Sequence, residues 1–225
     1  MDICLEEWEM EFTVTVVYDN ETLDRALGTD WGFAAVVTDA AGRMLLFDTG
    51  ADGALLQSNM RSLGMDLRDV SQIVLSHWHW DHTGGLPTVL REAPDALLYV
   101  PEGAPEGRLP EKAIVVGASP RQISDGLYST GTLDGIEQGI VLLGQKGAFV
   151  VVGCAHPGVP AFLSAAHGIG HPYGLMGGFH GFSDLDKLGA LNELWPCHCT
   201  QKKNEILRRF PGTASRCGAG LRVEV

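Results

Sequence analysis

The stretch SHWHWDHTGGL at residues 76–86 constrains this chain more than any other, because it holds three histidines and an aspartate within six positions. His77 and His79 would diverge on a helix, whereas residues two apart on an extended segment point to the same side. The apolar run QIVL directly before them predicts such a strand. Zinc accepts imidazole nitrogens about 2.0–2.1 Å away in a tetrahedral arrangement. We therefore predict a metal site at the end of this strand.

The second half of the motif adds two more candidate ligands. Asp81 and His82 are adjacent, so both can face one site only if the chain turns there. The Thr-Gly-Gly stretch at 83–85 is predicted to provide that turn. Trp78 and Trp80 would then point away from the ligands and pack as a dry wall.

Three further histidines follow predicted strands. His156 lies in GCAHPG after the run AFVVV, His180 lies in GGFH after GLMGG, and His198 lies in PCHCT after ELWPC. Each stands where a predicted strand gives way to a turn that contains glycine or proline. If these strands run in the same direction, all three histidines arrive at one edge beside the first cluster. Cys154, Cys197 and Cys199 are their neighbours, and we interpret these thiols as packing residues, with metal ligation as the alternative.

Apolar periodicity divides the rest of the chain into strands and helices. Strands are predicted at 12–18, 32–39, 43–48, 72–76, 97–100, 113–116, in three runs near 126–152, at 174–178, 193–197 and at the final LRVEV. Helices are predicted at 52–63, 86–91, 159–167, 183–191 with Ser183 as N-cap, and 201–209, while 101–111 is a loop. Because no linker separates the two strand-rich halves, residues 1–225 are predicted to form one α/β domain.

Charge and cysteine content limit the partners. The chain has 16 basic and 28 acidic residues and a net charge of −12, which disfavours a nucleic-acid partner. No apolar run approaches the roughly 18–20 residues of a membrane span, and the acidic start lacks a secretory signal, so no membrane partner is expected. Five cysteines without a framework spacing predict free thiols in a reducing cytoplasm. Homo-oligomer formation stays open.

These motifs together resemble the metallo-β-lactamase fold superfamily, whose HxHxDH motif is matched by His77, His79, Asp81 and His82. The resemblance covers roughly residues 32–200 and includes FDTG at 47–50, GCAHPG at 153–158, GGFH at 177–180 and HCT at 198–200. The flanks GLYSTG at 126–131 and Glu137-Gln138 look most like the dihydropterin–ribofuranosylaminobenzene phosphate synthase subgroup. The resemblance implies a four-layer αββα sandwich of two mixed β-sheets flanked by helices.

The resemblance also implies two divalent metal ions, with zinc expected first and manganese or iron as alternatives. It places one ion on His77, His79 and His156 and the second on Asp81, His82 and His198. Asp48 matches an aspartate that supports the ligand loop. His180 stands near the position where many relatives have a metal-bridging carboxylate, so we expect it to ligate one ion or, like Asp81, to act as a catalytic proton donor.

The proposed ligands predict the substrate class. Because Asp81 alone among them is anionic, two divalent ions and one bridging hydroxide leave positive charge that favours a small anionic substrate, above all a phosphate ester. The leading expectation is therefore a dinuclear metal-dependent hydrolase of a small anionic ester that uses a metal-bridging hydroxide. The alternatives are a transferase that forms a C–N bond in pterin cofactor synthesis, an iron-dependent oxidoreductase, and a non-catalytic binding module.

Overall fold

The computed structural model describes residues 11–105 and 112–225. Its strands are β1 Phe12–Tyr18, β2 Ala34–Asp39, β3 Met44–Phe47, β4 Val70–Val74, β5 Leu97–Pro101, β6 Ile114–Val116, β7 Arg121–Ser124, β8 Leu127–Ser129, β9 Ile140–Gly144, β10 Gly147–Val152, β11 Pro172–Gly178, β12 Glu193–Cys197 and β13 Arg222–Glu224. Its α-helices are α1 Gly53–Ser62, α2 Trp80–Thr83, α3 Leu86–Glu92, α4 Val159–His167 and α5 Lys203–Arg209. Within the described ranges, no helix is both long and apolar enough to cross a bilayer.

The strands form two mixed sheets. The first has the order β13-β1-β2-β3-β4-β5-β6 and the second the order β12-β11-β10-β9-β8-β7. In the first sheet, β3 to β6 run parallel to one another; in the second, β10, β11 and β12 do so. Because neighbouring parallel strands end on the same side, the segments that follow β10, β11 and β12 meet at one edge of the second sheet.

Three buried apolar clusters define the layers. The cluster between the sheets combines residues such as Phe47 of the first sheet with Val151 of the second. A second cluster packs α1 and α3 on the outer face of the first sheet, and a third packs α4 and α5 on the outer face of the second. Each sheet thus buries both faces, and the predicted αββα sandwich is confirmed.

Most predicted elements are present, with local differences. The helix predicted at 183–191 is a short 3-10 helix, Leu185–Leu188, preceded by Asp184 rather than capped by Ser183. Its two buried leucines, at positions 185 and 188, are spaced by three, which is the period of a 3-10 helix. The strand β7 was not predicted, because three of its four residues, RQIS, are polar. In the structure none of the four is buried. Residues 106–111 of the predicted loop, and the acidic start with Cys4, lie outside the described residues.

The prediction that all cysteines are free thiols is wrong. Cys197 at the end of β12 and Cys217 form a disulfide with a Cα–Cα distance of 5.3 Å. The residues before Cys217 run beside β12, since the amide of Leu194 donates to Thr213 and that of Ser215 donates to Leu194. This long-range pairing brings the two cysteines together. Cys154 and Cys199 are free and buried, and a cytoplasmic location stays a prediction that cysteine usage no longer favours.

Candidate metal centre

The HxHxDH motif begins on the extended segment after β4 and ends on a single helical turn. Nε2 of His77 lies 3.0 Å from Nδ1 of His79, so the two imidazoles do face the same side. The chain then turns from Trp80 onward in α2, earlier than the 83–85 stretch that was predicted to make the turn. The carbonyl of His82 accepts from the amide and hydroxyl of Thr49, which ties α2 to the FDTG loop.

The two glycines of the motif serve close packing rather than a special backbone angle. Gly84 and Gly85 have φ values of −62° and −77°, which any residue adopts. A Cβ on Gly84 would lie 2.1 Å from the carbonyl oxygen of Ala51, and one on Gly85 would lie 2.2 Å from that of Thr49. Glycine is therefore needed so that the metal-motif turn can approach the loop that carries Asp48.

The tryptophans of the motif do not both pack as a wall. Trp78 is half-buried and its Nε1 donates to the carbonyl of Glu102 at 3.2 Å. Trp80 is 62% exposed, so the prediction of a dry wall is wrong for this residue. Together with Leu86, Pro87 and Leu90 they line an apolar surface pocket.

The three later histidines meet the motif at the common edge of the parallel strands. The ring of His156, after β10, lies 4.8 Å from those of His77 and His79. The ring of His198, after β12, lies 5.0 Å from that of His82. The exposed His180, after β11, has its ring 5.1 Å from that of His156, and its φ of 43° turns the chain at the end of the strand.

The potential donor atoms form two adjacent triads. His77, His79 and His156 offer donors within 4.8 Å of one another, and so do Asp81, His82 and His198. Nε2 of His156 and Nε2 of His198 are buried without a hydrogen-bond partner among the described residues, although Oδ2 of Asp81 stands 3.2 Å from the latter. Buried polar atoms left unpaired are unfavourable, and a cation would satisfy them. The nitrogen and carboxylate donors thus fit two divalent ions.

The protonation of these groups suits metal binding. Burial lowers the pKa of His77 and of His82, and it lowers that of His156 to about 4. Burial opposes ionisation of Asp81, but the close approach of the imidazoles of His198 and His82 outweighs this and lowers the pKa of Asp81. Near neutral pH these three histidines are therefore neutral and the aspartate is charged, as ligands must be.

Asp48 orients donors of both triads from behind. Its buried carboxylate accepts from the amide and hydroxyl of Ser76 and from Nδ1 of His82, each at 2.7 Å. The Ser76 hydroxyl in turn lies 2.9 Å from Nδ1 of His77. Burial raises the pKa of Asp48 to about 8, against the hydrogen bonds from Ser76. With a proton on Nδ1, His82 presents its unprotonated Nε2 to the centre.

Replacing Asp48 by asparagine is expected to weaken metal binding about 10–100-fold while leaving the fold intact. The new amide would donate to Nδ1 of His82 and so move the imidazole proton to Nε2, the nitrogen that faces the centre. Titration against a metal-binding dye measures the affinity. Asp95→Asn, at an exposed loop position, is the matched control, and equal affinities in the two variants would contradict the role of Asp48.

Three residues support the loops that carry His198 and His156, and the sequence did not predict this role for any of them. They are Asp19, Asn20 and Glu137. His198 has φ 43°; its amide donates to Asp19 at 2.9 Å, and its Nδ1 lies 3.0 Å from Oδ1 of Asn20. Asp19 and Asn20 directly follow β1, which is the only signal that the sequence offers for them.

Glu137 is fully buried and its carboxylate accepts hydrogen bonds from four backbone amides at 2.9–3.1 Å, those of residues 153–156. It therefore holds the loop that carries His156, and burial raises its pKa to about 7 against those amides.

The surroundings of the centre combine an aromatic surface with a polar pocket. Trp31 is half-exposed, and its ring lies 5.0 Å from that of His198. An open pocket of about 640 Å³ beside His198 carries Lys203 and Arg216. Glu21 pairs with Lys203 at 2.8 Å and approaches Arg216 at 3.7 Å, so one carboxylate faces two cations there.

Comparison with known proteins shows the family to which the chain is similar. The family model of the metallo-beta-lactamase superfamily matches residues 32–163. The chain is 25% identical over 246 aligned positions to 7,8-dihydropterin-6-methyl-4-(beta-D-ribofuranosyl)-aminobenzene-5'-phosphate synthase of Methanocaldococcus jannaschii, covering 79% of this chain and 83% of that protein.

Two solved structures share the fold. A metal-dependent hydrolase of the beta-lactamase superfamily superimposes with a TM-score of 0.74 at 24% identity, over 95% of this chain and 99% of that one. The metallo-beta-lactamase fold protein YhfI of Bacillus subtilis gives a TM-score of 0.64 at 14% identity, over 96% and 100%. Since the family model spans more than half of the sequence, the chain belongs to the metallo-beta-lactamase superfamily.

Proposed function

We propose that this chain is a metal-dependent hydrolase of a small anionic ester, with phosphoesters as the substrate class. The observation that carries the proposal is the pair of adjacent donor triads, in which five imidazoles and a single carboxylate would hold two divalent ions. Such ions supply an activated water at neutral pH and polarise the bond to be cleaved. The expected ligands are His77, His79 and His156 for one ion and, as a second triad, Asp81, His82 and His198.

The charge balance of the centre supports an anionic substrate. Asp81 is the one carboxylate among the six donors, while Asp48 and Glu137 are buried behind them and engaged in hydrogen bonds. Lys203 and Arg216 line the neighbouring pocket, where Glu21 and Asp19 lie close enough to offset their charge, so the bound ions would supply most of the attraction. A phosphate group gains more from such surroundings than a neutral amide does.

Two side chains are suited to contact the substrate outside the donor triads. His180 is exposed and next to His156, so it can rotate toward a leaving group and give it a proton. Trp31 offers a flat apolar face beside His198, on which an aromatic part of a substrate could stack. We propose His180 as the general acid, with Asp81 as the alternative proton carrier.

A second candidate function is the formation of a C–N bond in pterin cofactor synthesis. The observation that favours it is the 25% identity, over 79% of this chain, to a synthase whose name contains a dihydropterin, an aminobenzene and a phosphate. The positively charged centre would bind the phosphate, and Trp31 would stack on the dihydropterin ring or on the aminobenzene ring. This reaction needs an attacking amine in place of water.

A panel of substrates tests the two candidates. With the metal-loaded protein, we expect kcat/KM for chromogenic phosphoesters to exceed that for a cephalosporin, a lactone and a thioester by about 100-fold, because a charge interaction of roughly 3 kcal/mol corresponds to that ratio. Equal rates on phosphoesters and the cephalosporin would contradict the proposal. Joining of an activated dihydropterin to an aminobenzene amine, without ester hydrolysis, would replace it with the second candidate.

Replacing His180 by alanine is expected to lower kcat about 100-fold for a phosphoester with a poor leaving group, since that group must be protonated as it departs. A nitrophenol leaves as an anion, so its ester should be hydrolysed nearly as fast by the variant as by the wild type. Comparison of kcat across leaving groups of different pKa measures the effect. The exposed His171→Ala is the control, and an equal loss on all leaving groups would remove His180 from the proton-donor role.

A further inference from the structure

A buried pair of thiols adjoins the donor triads. Sγ of Cys154 lies 3.2 Å from Nε2 of His82 and 3.3 Å from Sγ of Cys199. Neither thiol is in a disulfide, and both are buried at the common edge of the parallel strands. The sulfur of Cys154 is therefore in contact with a proposed metal ligand and with a second sulfur donor.

The Cys154 sulfur stands between the two triads. It forms one group of potential donors with His77 and His82, and another with His198 and Cys199, with all atoms in each group within 4.8 Å of one another. His77 belongs to the first triad, whereas His82 and His198 belong to the second. Nε2 of His198, a residue only 4% exposed, lies in the same neighbourhood, 3.2 Å from Oδ2 of Asp81 and with no hydrogen-bond partner among the described residues. A thiolate is a strong zinc donor.

We infer that Cys154 is a seventh protein ligand of the metal centre, placed to bind the second ion or to be shared by both. The inference rests on the metal centre of the proposed function but not on its substrate. On binding, the thiol would release its proton to solvent and add one negative charge to that of Asp81. The centre would stay positive, and its preference would move toward zinc and cobalt and away from magnesium or manganese, which favour oxygen donors.

The surrounding backbone holds this sulfur in place. The amide of Cys154 donates to Glu137 at 2.9 Å, and the next residue, Ala155, has φ 52°. Gly178 at the end of β11 leaves room for the sulfur pair, because a Cβ there would lie 2.6 Å from Sγ of Cys199 and 2.5 Å from the carbonyl oxygen of Gly153. Cys199 contacts Cys154 but belongs to only one of the two donor groups, the one with His198, so it provides a matched comparison with a thiol in the same cluster.

Cobalt substitution tests the inference with a readout other than activity. The protein loaded with Co(II) should show a sulfur-to-cobalt charge-transfer band in the near ultraviolet. We expect Cys154→Ser to lose this band and to bind zinc at least about tenfold more weakly, whereas Cys199→Ser should keep the band.

The outcomes separate this inference from the proposed function. Two bound cobalt ions without the band, or a band that survives in Cys154→Ser or disappears only in Cys199→Ser, would overturn the role of Cys154 and leave the metal-dependent hydrolase intact. A wild-type chain that binds no cobalt and no zinc would overturn both.

Discussion

Replacing His82 by alanine is expected to remove one of two bound divalent ions and to lower kcat/KM at least about 100-fold. His82 is fully buried, its Nδ1 contacts Asp48 and its Nε2 belongs to the second triad. Without it, the second triad keeps two of its three donors, and the further ligand Cys154 loses the imidazole that it contacts, so the ion should be held too weakly to survive purification. Stabilisation of transition-state charge by an ion is worth several kcal/mol, and about 3 kcal/mol corresponds to that loss in rate.

Metal content and kcat/KM of the purified variant measure this result. Because the variant leaves the Asp48 carboxylate without one donor, its fold is checked by circular dichroism, and His198→Ala serves as a second variant of the same triad. The exposed His167→Ala controls for the loss of an imidazole elsewhere. Either triad variant with two bound ions and full turnover would contradict the two-ion account.

The second large effect is expected at Glu137, where glutamine should lower the free energy of unfolding by about 2–4 kcal/mol. Oε1 accepts the amides of residues 153–155 and Oε2 accepts that of His156. A glutamine must turn its NH₂ group toward at least one of these N–H groups, and two donors then face each other in a buried place. The loop that carries His156 would lose its anchor, so the first ion should also bind more weakly.

Denaturant unfolding of Glu137→Gln, followed by zinc titration, measures both consequences. Glu224→Gln is the matched control, because this glutamate is exposed on the edge strand β13. If Glu137→Gln unfolded at the same denaturant concentration as the control and bound two ions with unchanged affinity, the carboxylate would not organise the site.

The local parts of the site could be predicted from the sequence. His77 and His79 face one side because the run before them is extended, and that depends on a few neighbouring residues. The approach of His156, His180 and His198 to the motif required strands that run in the same direction, and the parallel pairing of β10, β11 and β12 fulfils this condition. The α/β class followed from the alternation of predicted strands and helices, whereas the four-layer sandwich was implied by the family resemblance.

Features that depend on distant contacts could not be predicted. The role of Gly84 and Gly85 is set by the backbone of residues 49–51, not by their own turn. The pairing of Cys197 with Cys217 depends on a segment that returns to β12 after α5. In the sequence, Glu137 contributed only to the resemblance to one subgroup. The fold brings the amides of residues 153–156 around its carboxylate. Such contacts join residues that no local pattern relates.

Elemental analysis of the purified wild-type chain, before and after incubation with excess zinc and removal of the unbound metal, tests the central claim most directly. The two donor triads predict two divalent ions per chain, with zinc retained after gel filtration. A chain that is purified without metal and takes up none on addition of zinc, manganese or iron would contradict the account.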